Sequence, residues 1–361
     1  MLLGTALVAL VAGIAVGAGG DGEEPSQPAP PTAEKELLEA VDRLSLRRQV
    51  GQLTVSSFPD RSVPGYVRRR LRAGDTAGVI LFSRNASTAS EWRSLTRALQ
   101  RAASGSALVM VDQEGGEIRT VAWAGPAASQ PLQGAPAAVR RTARSAGRQL
   151  RGAGVNVNLA PVADLPAGAA PVMGFRSFSG EAEGVAARTR ASVAGMWSQR
   201  VAPTAKHFPG LGRAQANTDD ASTIVAGGLA GDLVPFRAAV AEGVPLVMLS
   251  HALYPALDRR RIASQSTRVV KGLLRDELGY DGVVVTDSIE AQAVLDRSGV
   301  ATAAERSIRA GADVVLTTGS ASWNHVFPRL LARARRSAAF RERVRQSAAR
   351  VLALKAKLGL R

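Results

Sequence analysis

Asp287 ends the run Gly282-Val283-Val284-Val285-Thr286, an apolar stretch that delivers a carboxylate to the end of a buried strand. Four other apolar segments also end in polar residues: Asp112-Gln113-Glu114-Gly115-Gly116, Asp164, Lys206-His207 and Ser250-His251. Two carboxyl groups flanking a bond are the minimum equipment for cleaving a glycoside. One stays ionised and attacks, or steadies the cation; the other, or a different acid, protonates the leaving oxygen. Asp287 fits the first role. Lys206 and His207 suit donation to sugar hydroxyls, and the Lys206 cation could hold Asp287 ionised. Each residue alone has an ordinary structural role, since an Asp at a strand end often caps the next helix. Their convergence is what points to chemistry. A Schiff-base role for Lys206 is disfavoured, because adjacent carboxylates keep its amine charged.

The elements that must position these groups alternate along the chain. Eight short runs rich in Val, Ile and Leu read as strands: Gly51–Ser56, Ala77–Phe82, Ala107–Asp112, Val155–Pro161, Ala202–His207, Pro245–His251, Gly282–Asp287 and Ala312–Thr317. Helical patterns lie between them: Ala89–Ala103 with Asn85 and Ser87 as caps, Ala137–Gly152, Glu181–Gln199, Leu233–Glu242, Ser266–Leu278 and Ala301–Ala310. A long Arg/Ala-rich pattern, Arg329–Leu358, closes the chain. Eight such units predict an α/β fold, a single-domain (β/α)8 TIM barrel over residues 34–361. The alternative is an open doubly wound sheet, but no Gly-rich dinucleotide turn follows the first strand. In a barrel, polar groups at strand C-termini share one rim, where such enzymes work.

Composition bounds the rest. Of 46 basic residues only five are Lys, and the formal charge is +16. The arginines are spread over many segments and no aromatic stacking set accompanies them, so nucleic acid is not expected as a partner. A basic surface also suits anionic wall polymers or a membrane. The absence of Cys excludes disulfides, thiolate metal sites and Cys nucleophiles, and three His are few for a His-rich metal centre. Residues 1–18 form an uncharged apolar run, expected to be a signal peptide or membrane anchor. Residues 19–33 are rich in Gly, Pro and Glu and read as a flexible linker. The expected location is therefore exported: extracellular, or associated with membrane or cell wall.

The segment Lys206-His207-Phe208-Pro209-Gly210-Leu211-Gly212 resembles the Lys-His-Phe-Pro-Gly-His-Gly signature of family 3 glycoside hydrolases, in particular their single-barrel β-N-acetylhexosaminidase branch. Further segments resemble the family in the same order: Gly78–Phe82 with Arg84-Asn85, Val111–Gly116, Asn158–Asp164, Arg176-Ser177-Phe178, Ser250-His251 with Tyr254–Asp258, and Gly279–Asp287. The likeness runs from about Leu46 to the C-terminus. It implies a retaining hydrolase with Asp287 as nucleophile and with Asp112, Arg176, Lys206 and His207 holding the sugar. Arg119 and His251 join them as candidates. It implies no metal and no organic cofactor, and a β-linked amino-sugar glycan as substrate.

The departures fall at the acid/base. The branch places a His in an Asp-Ser-His or Asp-Thr-His triplet on the loop after strand five. Here that loop reads Gly212–Ser222, with Asn217 where the Asp belongs and Asp219 where the His belongs. Leu211 replaces the second His of the signature. Arg119 stands one place before the family's usual Arg, a position held by Thr120. Two readings follow. Asp219, or Asp220, acts as a carboxyl acid/base with a raised pKa. Otherwise the loop supplies no acid, and a loss of about two to four orders of magnitude in rate leaves a slow enzyme or a glycan-binding pseudoenzyme.

Overall fold

The computed structural model describes residues 33–166 and 172–361. The expected leader and most of the linker, residues 1–32, lie outside the described residues. Eight parallel strands close on themselves: β1 (Thr54–Ser56), β2 (Gly78–Ile80), β3 (Leu108–Val111), β4 (Val157–Asn158), β5 (Ala202–Phe208), β6 (Leu246–Leu249), β7 (Val283–Ser288) and β8 (Val314–Leu316). Closure is made by β8 pairing with β1, Val315 opposite Thr54. That pairing rules out the open sheet. All eight expected strands are present and each lies within or close to its expected run. The first is shorter than expected because Leu46–Gly51 is a helical turn, which starts at Ser45 and carries the chain into β1.

Both faces of these strands are apolar because both are covered. Inside the barrel, Val55, Ile80, Met110, Leu159, Met248 and Val285 pack together with Leu354 and Leu358 of the final helix, which plug the N-terminal end. Each such fully buried aliphatic side chain contributes about 1.5–3 kcal/mol through burial. The surrounding helices include Gly65–Ala73, Ala89–Ala102, Pro136–Gly152, Ala182–Trp197, Ala230–Ala241, Arg268–Glu277 (π-type hydrogen bonding) and Val300–Ala310. Pro136 occupies the first helical position of its helix, where its missing N–H costs nothing.

Three sequence expectations need correction. The Ala89–Ala102 helix is capped by Thr88, not by Asn85 or Ser87. The Thr88 hydroxyl accepts from the Glu91 N–H (3.2 Å) and the Glu91 carboxylate accepts from the Thr88 N–H (3.0 Å). The Asn85 side chain instead ties two loops together, accepting from Phe82 N–H and donating to the carbonyls of Phe58 and Asp60. The closing pattern is two helices, Trp323–Arg336 and Ala338–Lys357. It breaks at Ser337, whose backbone is extended and whose hydroxyl caps the second helix at Phe340 N–H. The Ala33–Asp42 and Gly65–Ala73 helices were not expected, because they lack the long periodic signal that marks the others.

A short antiparallel hairpin, Gln113–Gly115 with Ile118–Arg119, leaves the rim directly after β3. Its turn uses Gly115 and Gly116 with φ of 114° and 60°, and a Cβ on Gly115 would lie 2.2 Å from the Ala128 carbonyl oxygen. Only glycine serves there.

Candidate active site

At the C-terminal rim a cavity of about 790 Å³ opens over the barrel core, floored by Ile80, Leu159, Met248 and Leu316. Asp112, Glu114, Arg119, Arg176, Lys206, His207, Asp219 and Asp287 all line it. Residues from β3, β5, β7 and two loops thus meet in one place, because a parallel barrel points every strand's C-terminus at the same face.

Lys206 is the hub. Its Nζ donates to Asp112 Oδ1 and contacts Glu114 Oε1, each at 2.7 Å. Glu114 in turn takes a two-pronged grip from Arg176, Nε to Oε2 at 2.9 Å and Nη2 to Oε1 at 2.7 Å. Burial pushes the Lys206 amine down, but Asp112 and Glu114 more than reverse this and raise it. Burial likewise pushes Glu114 up, yet Lys206 and Arg176 hold it at about 2. All three groups therefore stay charged and fixed. This leaves Asp112, the more open of the two carboxylates with its side chain 25% exposed, available to accept from a ligand hydroxyl.

His207 is set by Asp164. That carboxylate is fully buried and accepts from the His207 N–H (3.0 Å), the Leu211 N–H (2.8 Å) and the His207 Nδ1 (2.7 Å). With Nδ1 engaged by this carboxylate, the ring turns Nε2 toward Asp287, 3.7 Å from its Oδ2. Burial raises the Asp287 carboxyl, but His207, His251, Lys206 and the Ser288 N–H (2.7 Å) outweigh it and hold it below the usual range. Its strand is braced by Glu290, which accepts from the Ser288 and Thr318 hydroxyls and from the backbone of Thr318 and Gly319.

The loop Gly212–Ser222 brings Asp219 to the same cavity. Arg213 anchors its start to Asp232 (2.7 Å) and to nearby carbonyls. The carbonyls of Thr218 and Asp219 accept from Ala293 and Gln292, just beyond β7, each at 3.1 Å. Ser222 donates to Asp296 (2.7 Å). Partial loss of water contact on its cavity side, then the negative charge of Asp287, raises the Asp219 carboxyl to about 6, although the residue keeps an exposed surface. Asp219 and Asp220 are both exposed, but only Asp219 lines the cavity. The geometry therefore separates two adjacent acids that the sequence left equivalent. Asn217 holds Asp219 loosely, its side chain 3.5 Å from the carboxylate.

One expected ligand residue is displaced. His251 is fully buried and does not line the cavity. Its Nδ1 faces the Ser264 hydroxyl (2.7 Å) and its Nε2 the Ser288 carbonyl (3.0 Å), and burial lowers its pKa. With both ring nitrogens engaged it steadies the strand end behind Asp287 and does not face a sugar. Arg119 lines the cavity but forms no ion pair among the described residues. Glu114 and Asp164 stand among the polar strand ends read from the sequence, but the sequence assigns neither a role. Glu114 had a signal: two residues from Asp112 on an extended segment, it shares that residue's face. Asp164 lies beyond its strand, where periodicity carries no information.

A depressed carboxylate and a raised one on one cavity, lined also by cations and further acids, fit the arrangement of a barrel glycoside hydrolase. Comparison with known proteins narrows the class. The model for the glycosyl hydrolase family 3 N-terminal domain matches residues 45–354. A β-hexosaminidase of Stenotrophomonas maltophilia (strain K279a) is 37% identical over 255 residues, covering 66% of this chain and 75% of that protein. A β-hexosaminidase of Xanthomonas campestris pv. campestris (strain B100) is 36% identical over 258 residues, covering 66% and 76%. Among solved structures, the family 3 β-N-acetylglucosaminidase of Paenibacillus sp. FPU-7 superposes with a TM-score of 0.81 at 34% identity, covering 88% of this chain and 63% of that one. The β-N-acetylhexosaminidase of Beutenbergia cavernae DSM 12333 gives 0.77 at 32% identity, covering 87% and 99%. The chain belongs to glycosyl hydrolase family 3, and its reaction is hydrolysis of O-glycosyl bonds.

Proposed function

We propose that this protein is an exported, retaining β-N-acetylhexosaminidase acting on cell-wall or related N-acetylglucosamine-containing glycans. The observation that carries the mechanism is the pairing of Asp287, held below the carboxylate range, with Asp219, raised to about 6, on one cavity. A carboxyl that is partly protonated near neutrality can give a proton to a leaving oxygen and later take one from water.

The reaction runs in two displacements. An Asp287 oxygen bonds to the anomeric carbon as the bond to the leaving oxygen breaks, and the Asp219 proton passes to that oxygen. Water then attacks the same carbon, Asp219 takes its proton, and the bond to Asp287 breaks. Configuration is retained because the centre is inverted twice. Asp112, Lys206, His207 and Arg176 hold the sugar or the groups that touch it. The hexosamine preference rests on the names of the relatives, and export rests on the apolar run 1–18. The basic surface suits retention on anionic wall polymers.

The test is turnover of nitrophenyl β-N-acetylglucosaminide and a panel of other nitrophenyl glycosides by the wild type, Asp287→Ala and Asp219→Ala. Asp287→Ala is expected to lose at least about 10³-fold in kcat. Asp219→Ala should lose about 10²–10⁴-fold and recover with azide, a nucleophile that needs no base. Sugar binding without turnover on any substrate would mean a glycan-binding pseudoenzyme instead. Cell fractionation of the full chain, with and without a salt wash, tests export and wall retention. Activity confined to the cytosol would overturn the former, and salt-insensitive retention the electrostatic account.

A further inference from the structure

Arginines that the sequence spreads over many segments are gathered by the fold onto one side of the barrel wall. The Ala89–Ala102 helix exposes Arg93, Arg97 and Arg101. The Pro136–Gly152 helix exposes Arg140, Arg144, Arg148 and Arg151, with Arg141 beside them. Each set recurs every three or four residues and so forms a stripe along one side of its helix. The two helices are neighbours. Leu95 and Leu99 share an apolar cluster with Ala146 and Leu150, and the Thr96 hydroxyl donates to the Ala153 carbonyl (2.8 Å) at the end of the second helix. At a rise of 1.5 Å per residue, the longer stripe runs about 16 Å with a cation roughly every 6 Å.

Among the described residues none of these arginines forms an ion pair. The one acid on either helix, Glu91, is taken by Arg61 at 2.8 Å. Elsewhere arginines gather around carboxylates: Arg309, Arg329 and Arg333 share Glu305, and Arg275, Arg343 and Arg350 share Asp313. Like charges three or four residues apart repel, so the two stripes oppose folding, and an anion from outside the chain would relieve them.

We propose that this face docks a linear polymer bearing phosphodiester charges, laid along the two stripes. The proposal rests on the exported reading and assigns wall retention to one surface and one partner chemistry. Guanidinium groups grip phosphate oxygens in pairs and keep their charge at every working pH. The aromatic ring on these helices, Trp92, is buried, so nucleic-acid bases find nothing to stack on. The exposed large apolar side chains, Trp123, Leu132, Phe175, Ile224 and Leu295, all lie off the two helices, so this face offers a bilayer no apolar insertion. None of the arginines in the stripes lines the catalytic cavity, which stays open while the polymer is held.

The experiment measures binding of the purified full chain to a dye-labelled glycerol-phosphate polymer by fluorescence anisotropy over a range of salt. Polyglutamate, oligothymidylate and phosphatidylglycerol vesicles are the competing probes. Arg144→Gln combined with Arg148→Gln should weaken polymer binding about tenfold at about 0.15 M salt and lessen the slope of log K against log salt by about 1.4. Arg144→Lys combined with Arg148→Lys should keep most of the affinity. Arg335→Gln combined with Arg336→Gln removes the same charge from exposed positions on the Trp323–Arg336 helix and should change binding less than about twofold. All these variants should turn over nitrophenyl β-N-acetylglucosaminide as the wild type does. Equal losses in the two Gln pairs, or none in either, would overturn the docking face. Binding to polyglutamate, oligothymidylate or vesicles as tight as to the polymer would overturn the phosphodiester assignment. Face-dependent binding by a protein found only in the cytosol would keep the surface and sink the export reading. An exported protein whose wall retention survives loss of both Arg144 and Arg148 would do the reverse.

Discussion

Two buried lysines occupy opposite ends of this barrel and behave in opposite ways. Lys206, 2% exposed at the catalytic rim, faces two carboxylates at 2.7 Å and has a raised pKa. Lys355, 4% exposed beneath the barrel floor, finds among the described residues only the Gln52 side-chain oxygen at 2.7 Å, and burial alone drives it down to about 7. The same side chain in equally dry surroundings is thus held charged or brought to the edge of neutrality by its partners. Burial sets how strongly charges interact, and the neighbours set the sign. The catalytic end uses carboxylates and an arginine to keep a cation in place. The structural end tolerates a lysine that is half neutral at physiological pH.

The sharpest way to break this comparison is Lys206→Met, which removes the cation from between Asp112 and Glu114. Isolated buried carboxylates are costly, so stability should fall by about 3–5 kcal/mol by denaturant titration, and sugar binding should be lost. A drop below about 1 kcal/mol would show that Arg176 alone suffices for Glu114. Next in size, Asp164→Asn disturbs the group that orients His207. A fall of about 10–100-fold in kcat/KM is expected with little change in melting temperature. Unchanged turnover would mean that the Leu211 and His207 backbone contacts orient the ring without it.

A third prediction uses pH. In the proposed mechanism the first step needs Asp287 ionised and Asp219 protonated, so kcat/KM for a sugar leaving group should fall as pH rises through about 6. A dinitrophenyl leaving group needs no proton, and its profile should lack that limb. Identical profiles for both substrates would remove Asp219 from the acid role. The smallest effect belongs to Lys355→Met. Its folded pKa, about 7, lies below the ordinary value of 10.5. The unfolded chain therefore binds more protons between those values, and wild-type stability gained from this group grows as pH rises from 7 toward 10. Lys355→Met should raise stability by about 1–3 kcal/mol at pH 6–7 and gain progressively less toward pH 10. A pH-independent gain would point to packing in place of desolvation.

Much of this protein is legible in its amino-acid order alone. The eight strands, the barrel and the clustering of Asp112, Lys206, His207 and Asp287 follow from local composition. Runs buried on both faces must be apolar throughout, and parallel topology sends their polar ends to one rim. The family resemblance added Arg176, which grips Glu114 in the cavity lining. What required the tertiary structure was every decision made by groups distant in sequence. Asp219 is separated from Asp220 by hydrogen bonds from Gln292 to its own carbonyl and from Ala293 to that of Thr218. His251 is turned away from the cavity by Ser264 and the Ser288 carbonyl. Arg119 is brought to the cavity by a hairpin that two glycines allow. Sequence determined which groups stand at the rim, because strand burial is a local property. Only the folded chain decided which way each faces and what charge it carries, because both depend on partners brought in from elsewhere.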